Sequence, residues 1–164
     1  MPHDRESNQN LAAAKGTCPF CALTPEEAVC NNGVALAIRD GYPVAEGHTL
    51  IVPARHVACW FEANKEEQRA ILDLLEQVKD KLDAELSPDG YNVGFNLGQA
   101  AGQTVGHLHV HIIPRYEGDV DDPTGGVRLV IPERGNYRKA GRVPRACSTR
   151  PPWPGIENDK VETR

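Results

Sequence analysis

No stretch of the chain is long and apolar enough to cross a bilayer, and Met1 to Lys15 is polar and then alanine-rich, without the apolar core of a secretory signal. These absences make a cytoplasmic protein with no membrane association the expectation. A surplus of positive charge is also missing. Eighteen Lys and Arg against 23 Asp and Glu leave a net charge of -5, which speaks against stable nucleic-acid binding, because binding phosphates needs the opposite sign. Cysteine is sparse and odd in number: Cys18, Cys21, Cys30, Cys59 and Cys147. A disulfide framework is therefore not expected, and reduced thiols are available for a metal. There is no internal repeat, and 164 residues suit one domain with an adequate core.

What is present is concentrated in Gly106-His107-Leu108-His109-Val110-His111-Ile112-Ile113-Pro114. Three histidines occupy every second position of an apolar run, the pattern of a strand. Alternate side chains of an extended chain share a face, so His107, His109 and His111 point one way and Leu108, Val110 and Ile112 the other. Successive histidines on that face lie roughly 6.6 Å apart. One can then bind a metal or a phosphate while its neighbour attacks or moves a proton. A lone strand histidine is usually just packed or solvated, but three at period two, with His48 and His56 elsewhere, point to metal binding, catalysis or both.

Around this run the chain reads as α+β with an antiparallel sheet. Residues 1–17 lack periodicity and read as a flexible arm. Val34 to Ile38 and Thr49 to Val52 read as strands of one hairpin, the second stopped by Pro53. From Lys65 to Leu86, the stripe Ile71, Leu75, Val78, Leu82 and Leu86 predicts a helix. Asn64 and Glu67 form its capping box, and Ser87-Pro88-Asp89-Gly90 stops it. Tyr91 to Asn96 and Gly106 to Pro114 form a second hairpin through the loop 97–104. Gly125 to Pro132 reads as a short strand, and the Pro- and Arg-rich residues 139–164 as a draped or disordered tail.

Two further segments carry chemistry. Cys18-Pro19-Phe20-Cys21 has the spacing that lets two thiolates reach one tetrahedral ion. Its remaining ligands must come from Cys30, Cys59 or histidines, and the plainer alternative is a pair of ordinary small side chains or a redox pair. Ala101-Gly102-Gln103-Thr104-Val105-Gly106 combines glycines with neutral donors just before the histidines, a candidate cradle for phosphoryl oxygens.

Taken with Gly47-His48-Thr49-Leu50-Ile51-Val52-Pro53, these segments resemble the histidine triad (HIT) family of nucleotide hydrolases and transferases over residues 18–116. The continuation Arg115 to Asp119 and Gly125-Gly126-Val127-Arg128 is similar to bacterial members described as dinucleoside tetraphosphate hydrolase-like. The resemblance implies a five-stranded antiparallel sheet with a long packed helix and a short second helix, in a HIT domain spanning 18–138 that forms a homodimer. It implies that His109 is the nucleophile at the α-phosphorus, giving a covalent nucleotidyl-histidine. His111 and His48 would contact phosphoryl oxygens or protonate the leaving group. Asn96, Gln103 and Thr104 would orient the phosphates, and Asp40 would bind ribose hydroxyls. Members with a structural zinc hold it by a set that Cys18, Cys21, His56 and His107 match.

Two departures stand out. Gly106 replaces a larger side chain of many relatives, and the tail, which in some relatives helps choose the substrate, is here Pro- and Arg-rich. The expected activity is hydrolysis of dinucleoside polyphosphates or related adenine nucleotides. The alternatives are phosphorylase or phosphoramidase chemistry at the same phosphorus, a non-catalytic nucleotide-binding protein, and a metal-sensing cluster. Trp60, Phe61 and Trp153 are candidates to stack on a base, although core or interface packing is their ordinary use.

Overall fold

Small and branched apolar residues in two short runs build the middle of the sheet. Ala35–Arg39 (β2) and Thr49–Pro53 (β3) pair antiparallel with Ala37 opposite Ile51, and nearly all of their residues are buried, as central strands require. Cys30–Asn31 (β1) adds outside β2, while Val110–Arg115 (β5) and Gly90–Gly94 (β4) add beyond β3. The resulting five-stranded antiparallel sheet has the order β1-β2-β3-β5-β4. The computed structural model describes residues 18–136, in two compact units, 18–121 and 122–136. The expected arm 1–17, tail 139–164 and domain end at 138 lie outside the described residues.

Lys65–Leu86 (α1) runs over the expected span. Asn64 accepts from the Glu67 backbone N–H while the Glu67 carboxylate accepts from the Asn64 N–H. Ala70, Ile71, Leu74, Val78 and Leu82 of α1 join Ala35, Ala37, Ile51, Val110 and Ile112 in one buried cluster. Leu74, which the single-stripe reading passes over, is fully buried, whereas Leu75 and Leu86 are only partly so.

The packing fixes which face is which. Val110 and Ile112 lie toward α1, so period two sends His111 to the opposite face, where it sits across from Leu50. His48, two residues before Leu50, shares that face. Asp40 stands opposite His48 just past the end of β2, its N–H donating to the His48 carbonyl. Gly47 has φ +81°, and a Cβ there would lie 2.6 Å from Leu86 of α1, so the loop reaches His48 only with glycine at this point.

Two expectations are corrected. Strand pairing begins at Val110 rather than Gly106, so His107 and His109 precede the ladder. The Leu108 N–H instead donates to Val57 O in the β3–α1 loop. In the second unit, Gly125 to Pro132 is not a strand: Gly126–Val130 is a 3-10 turn, followed by the one-turn helix Pro132–Gly135 (α2). Gly125 and Gly126 both take positive φ, +104° and +50°, which an extended strand cannot accommodate. No helix of the described residues is long and apolar enough to cross a membrane.

Candidate active site and metal centre

The tight turn at the N-terminal end of the described chain brings two thiols to the histidine run. Cys18 precedes the 3-10 turn Pro19–Ala22, and the Cys21 N–H donates to Cys18 O across it. Cys18 Sγ lies 3.4 Å from His107 Nδ1, and Cys21 Sγ lies 3.1 Å from His56 Nδ1 and 3.6 Å from His107 Nδ1. All four ligand atoms fall within 4.8 Å of one another. Ligands at ordinary zinc–sulfur and zinc–nitrogen bond lengths around a tetrahedral ion are about 3.5 Å apart, so the residues fit such an ion. The Nε2 of His107 is 2.9 Å from Pro53 O. A carbonyl can only accept, so Nε2 carries the hydrogen and Nδ1 turns its lone pair to the thiols. Cys30 and Cys59, the other candidate thiol ligands, are not part of this cluster.

The same logic assigns His109. Its Nδ1 donates to His107 O at 2.8 Å, which leaves the Nε2 lone pair available. The His111 ring stands T-shaped to it, centroids 5.1 Å apart. His111 Nδ1 is 3.0 Å from His48 Nε2, and His48 Nδ1 is 3.3 Å from Asp40 Oδ2. The Val44 N–H lies 3.3 Å from that same nitrogen, so Asp40 and Val44 compete for it according to its protonation. The far end of the row, His111 Nε2, is buried and has no hydrogen-bond partner among the described residues. Burial pushes the His48 pKa down against the pull of Asp40. The His111 pKa is also lowered, first by burial and then by the neighbouring His109 and His48. Both imidazoles therefore favour the neutral form at neutral pH.

Asp40, His48 and His111 also form a group that could hold a metal by proximity alone. One ligand atom from each of the three lies within 4.8 Å of the others, but the ring nitrogens of His48 are already engaged pairwise, Nδ1 with Asp40 and Nε2 with His111. Hydrogen bonds linked in this way can relay a proton.

A sequence profile of the HIT domain matches residues 23–118. The chain belongs to the HIT family. It is similar to an adenosine 5'-monophosphoramidase of Schizosaccharomyces pombe, with 34% identity over 103 residues that cover 60% of this chain and 74% of the relative. It is similar to an AP-4-A phosphorylase of Mycobacterium tuberculosis, 31% identical over 134 residues covering 79% and 69% of the two chains. Among solved structures, a HIT family protein from Bacillus anthracis superimposes with a TM-score of 0.57 at 34% identity, covering 63% of this chain and 76% of that one.

Other HIT-motif residues take less expected places. Asp40, the expected ribose ligand, uses Oδ2 toward His48 and accepts the Tyr42 N–H at Oδ1. It lines a cavity of about 420 Å³ with Arg39, Pro43, Val44 and His48. Gln103 is buried and ties its own loop, its Oε1 accepting from the Gly98 N–H and its Nε2 donating to Ala58 O. One amide hydrogen is left for a ligand. Thr104 is exposed on that loop, and the half-buried Asn96 has its amide near Gly102. Trp60 stacks on Phe95 at 5.4 Å and 12°, Phe61 is exposed, and Trp153 lies outside the described residues.

Sequence reasoning misses two residues. Arg39 donates to Gly47 O, Thr49 Oγ1 and Glu85, strapping the Asp40–His48 loop to α1. Phe20, inside the C-x2-C turn, packs on His107 and His109. Its position between two candidate ligands is the available signal.

Proposed function

We propose that this HIT protein is a nucleotidyl hydrolase that acts at the α-phosphorus of dinucleoside polyphosphates or related adenine nucleotides through His109. The observation that carries the reading is the pairing of a histidine with a bare Nε2 and, on the adjacent ring, a buried Nε2 without a partner. A buried nitrogen left unpaired is costly, and a phosphoryl or leaving-group oxygen between the two rings would satisfy it. The names of the two enzyme relatives support chemistry of this kind.

His109 Nε2 attacks phosphorus. The N–P bond forms as the bond to the bridging oxygen breaks, and the leaving group departs with that electron pair. His111 serves this step when the row carries one extra proton, a form that the negative charge of a bound phosphate favours over the neutral row of the free protein. His48 then donates from Nδ1 to Asp40 and from Nε2 to His111 Nδ1, and His111 Nε2–H faces the leaving oxygen. Giving up that hydrogen shifts one proton along the row. His48 keeps Nδ1–H, His111 Nδ1 now donates to His48 Nε2, and His111 Nε2 presents a lone pair. Water next attacks the nucleotidyl-histidine, its proton passes to His111 Nε2, and the N–P pair returns to His109. Gln103, Thr104 and Asn96 supply neutral donors for the phosphoryl oxygens.

Cys18, Cys21, His56 and His107 would hold a zinc ion; with four protein ligands it would tie the N-terminal turn to the histidine run and would serve structure, leaving no position for substrate. Thiolate ligands suit a reducing, cytosolic setting. The homodimer belongs to the same proposal. β4 is an open edge with Val93 exposed, the kind of edge a second copy covers, and a light-scattering mass near one chain would remove it.

The deciding experiment resolves the products of diadenosine tetraphosphate made by the wild type and by His109→Asn, with and without phosphate. AMP plus ATP from the wild type alone is the expected result. ADP plus ATP appearing only with phosphate would make the protein a phosphorylase. Turnover by the variant would remove His109 from the role. No wild-type turnover of this substrate or of adenosine phosphoramidate would leave a nucleotide-binding protein.

A further inference from the structure

The turn that carries Cys18 and Cys21 also places an aromatic ring on the reactive histidine. Phe20 meets His107 edge-on, centroids 5.7 Å apart at 85°, and leans on His109 at 5.3 Å and 57°. The Nδ1 bond to His107 O fixes one atom of the His109 ring but leaves the tilt of the ring about that bond to its neighbours. Its ring neighbours among the described residues are Phe20 and His111.

The backbone of Phe20 is held by the same turn that carries the two thiols. Pro19 fixes φ at the first position of the turn, the Cys21 N–H to Cys18 O bond closes it, and Cys18 is buried at its base. A contact to His107 then joins the ring to a third member of the metal cluster. One rigid turn thus ends in two ligands on one side and a packing surface for His109 on the other.

We infer that Phe20 is a positioning residue. It sets the plane of the His109 imidazole so that Nε2 points at phosphorus, and the metal-binding turn holds Phe20 in place. The metal centre thereby reaches the reaction through packing as well as through stability. The inference rests on the reading of His109 as the nucleophile. In-line attack tolerates little misalignment, and an error of about 1 Å costs on the order of 100-fold in rate.

The test uses the metal-loaded full chain with Phe20→Ala, Phe20→Leu and Phe20→Tyr, reading kcat and KM for diadenosine tetraphosphate, metal per chain, and the NMR signal of the His109 ring. Phe20→Ala should lower kcat roughly 10- to 100-fold with KM within about threefold, because only alignment is lost. Metal should stay at wild-type stoichiometry, the His109 signal should broaden as the ring samples more than one tilt, Phe20→Leu should fall between, and Phe20→Tyr should recover most of kcat. An unchanged kcat overturns the inference. So does a kcat loss that tracks metal loss, which would make Phe20 a brace for the cluster only, or a rise in KM alone, which would make it a substrate contact. His109→Asn run in parallel separates the two ideas, since its turnover at the wild-type rate defeats the nucleophile assignment. A His109 signal that stays as sharp in Phe20→Ala as in the wild type defeats the positioning role even if turnover cannot be followed.

Discussion

Two groups of side chains in this protein use histidine in opposite ways. Around Cys18, Cys21, His56 and His107 the donor atoms converge within 4.8 Å, and the one nitrogen of His107 not facing the thiols is tied to a backbone carbonyl. Asp40, His48 and His111 also bring ligand atoms within 4.8 Å, but there the nitrogens are engaged pairwise, His48 Nδ1 3.3 Å from Asp40 and Nε2 3.0 Å from His111, whose own Nε2 has no partner among the described residues. Convergent lone pairs make a cation site, whereas lone pairs met end to end by hydrogens make a proton path. Residue type separates them in part, two thiols in one and a carboxylate in the other, but both contain two histidines and both lie against His109. What separates the histidines is the direction in which each ring nitrogen points.

This contrast is tested most severely at the histidine between the groups. His109→Asn should reduce turnover at least about 10⁴-fold while the fold and the metal content persist, as expected when a covalent nucleophile is removed. Circular dichroism, metal analysis and product chromatography check this together. Next in size, Cys18→Ser should empty the convergent site and lower the melting temperature sharply, since binding a structural zinc contributes on the order of 10 kcal/mol to small metal-dependent folds. Metal titration of the wild type addresses the same point. One tightly held ion per chain is expected, and a second ion lost in His48→Asn would erase the distinction between the two groups.

In the row, His48→Asn should cost about 100- to 10,000-fold in kcat, the usual range for general acid–base help, with the metal retained. Asp40→Asn should cost less, because His111 can still exchange its proton with His48. The row also gives a pH signature of stability. His48 and His111 have folded pKa values below their unfolded value of about 6.5, so between these limits the unfolded chain holds more protons than the folded one. Stability should thus be full above that value and fall as the pH drops from it toward the folded values. Denaturant melts from pH 7.5 to 5 should show the decline, and His48→Asn should flatten it. The smallest effect lies outside both groups. Ser87, the C-cap of α1, has φ 47°, and Ser87→Gly should raise stability by under about 1 kcal/mol without changing kcat.

Much of the fold is legible in the amino-acid sequence. The capping box at Asn64 and Glu67, the span of α1 and the pairing of the strands follow from local patterns that tertiary packing reinforces. The strand expected over Gly125 to Pro132 fails because alternation in Val127, Leu129 and Ile131 cannot overrule two consecutive glycines in positive φ. Gly106 to His109 reads as ladder because an extended run looks alike whether or not a neighbour pairs with it. Gln103 reads as a phosphate donor, but nothing in its sequence context shows that Gly98 and Ala58 take up its amide.

Which residues have chemistry to offer follows from the chain alone, because the period of two in the histidine run and the two-residue gap between Cys18 and Cys21 are written in its order. The helix and the faces of the strands follow in the same way, since they depend on neighbours three, four or two positions away. Which histidine serves which purpose depends instead on the folded molecule. That choice turns on a carbonyl of Pro53, a thiol 86 residues distant from its histidine and a ring from the C-x2-C turn. These partners meet only through the fold, and the direction of a ring nitrogen is set by what it meets.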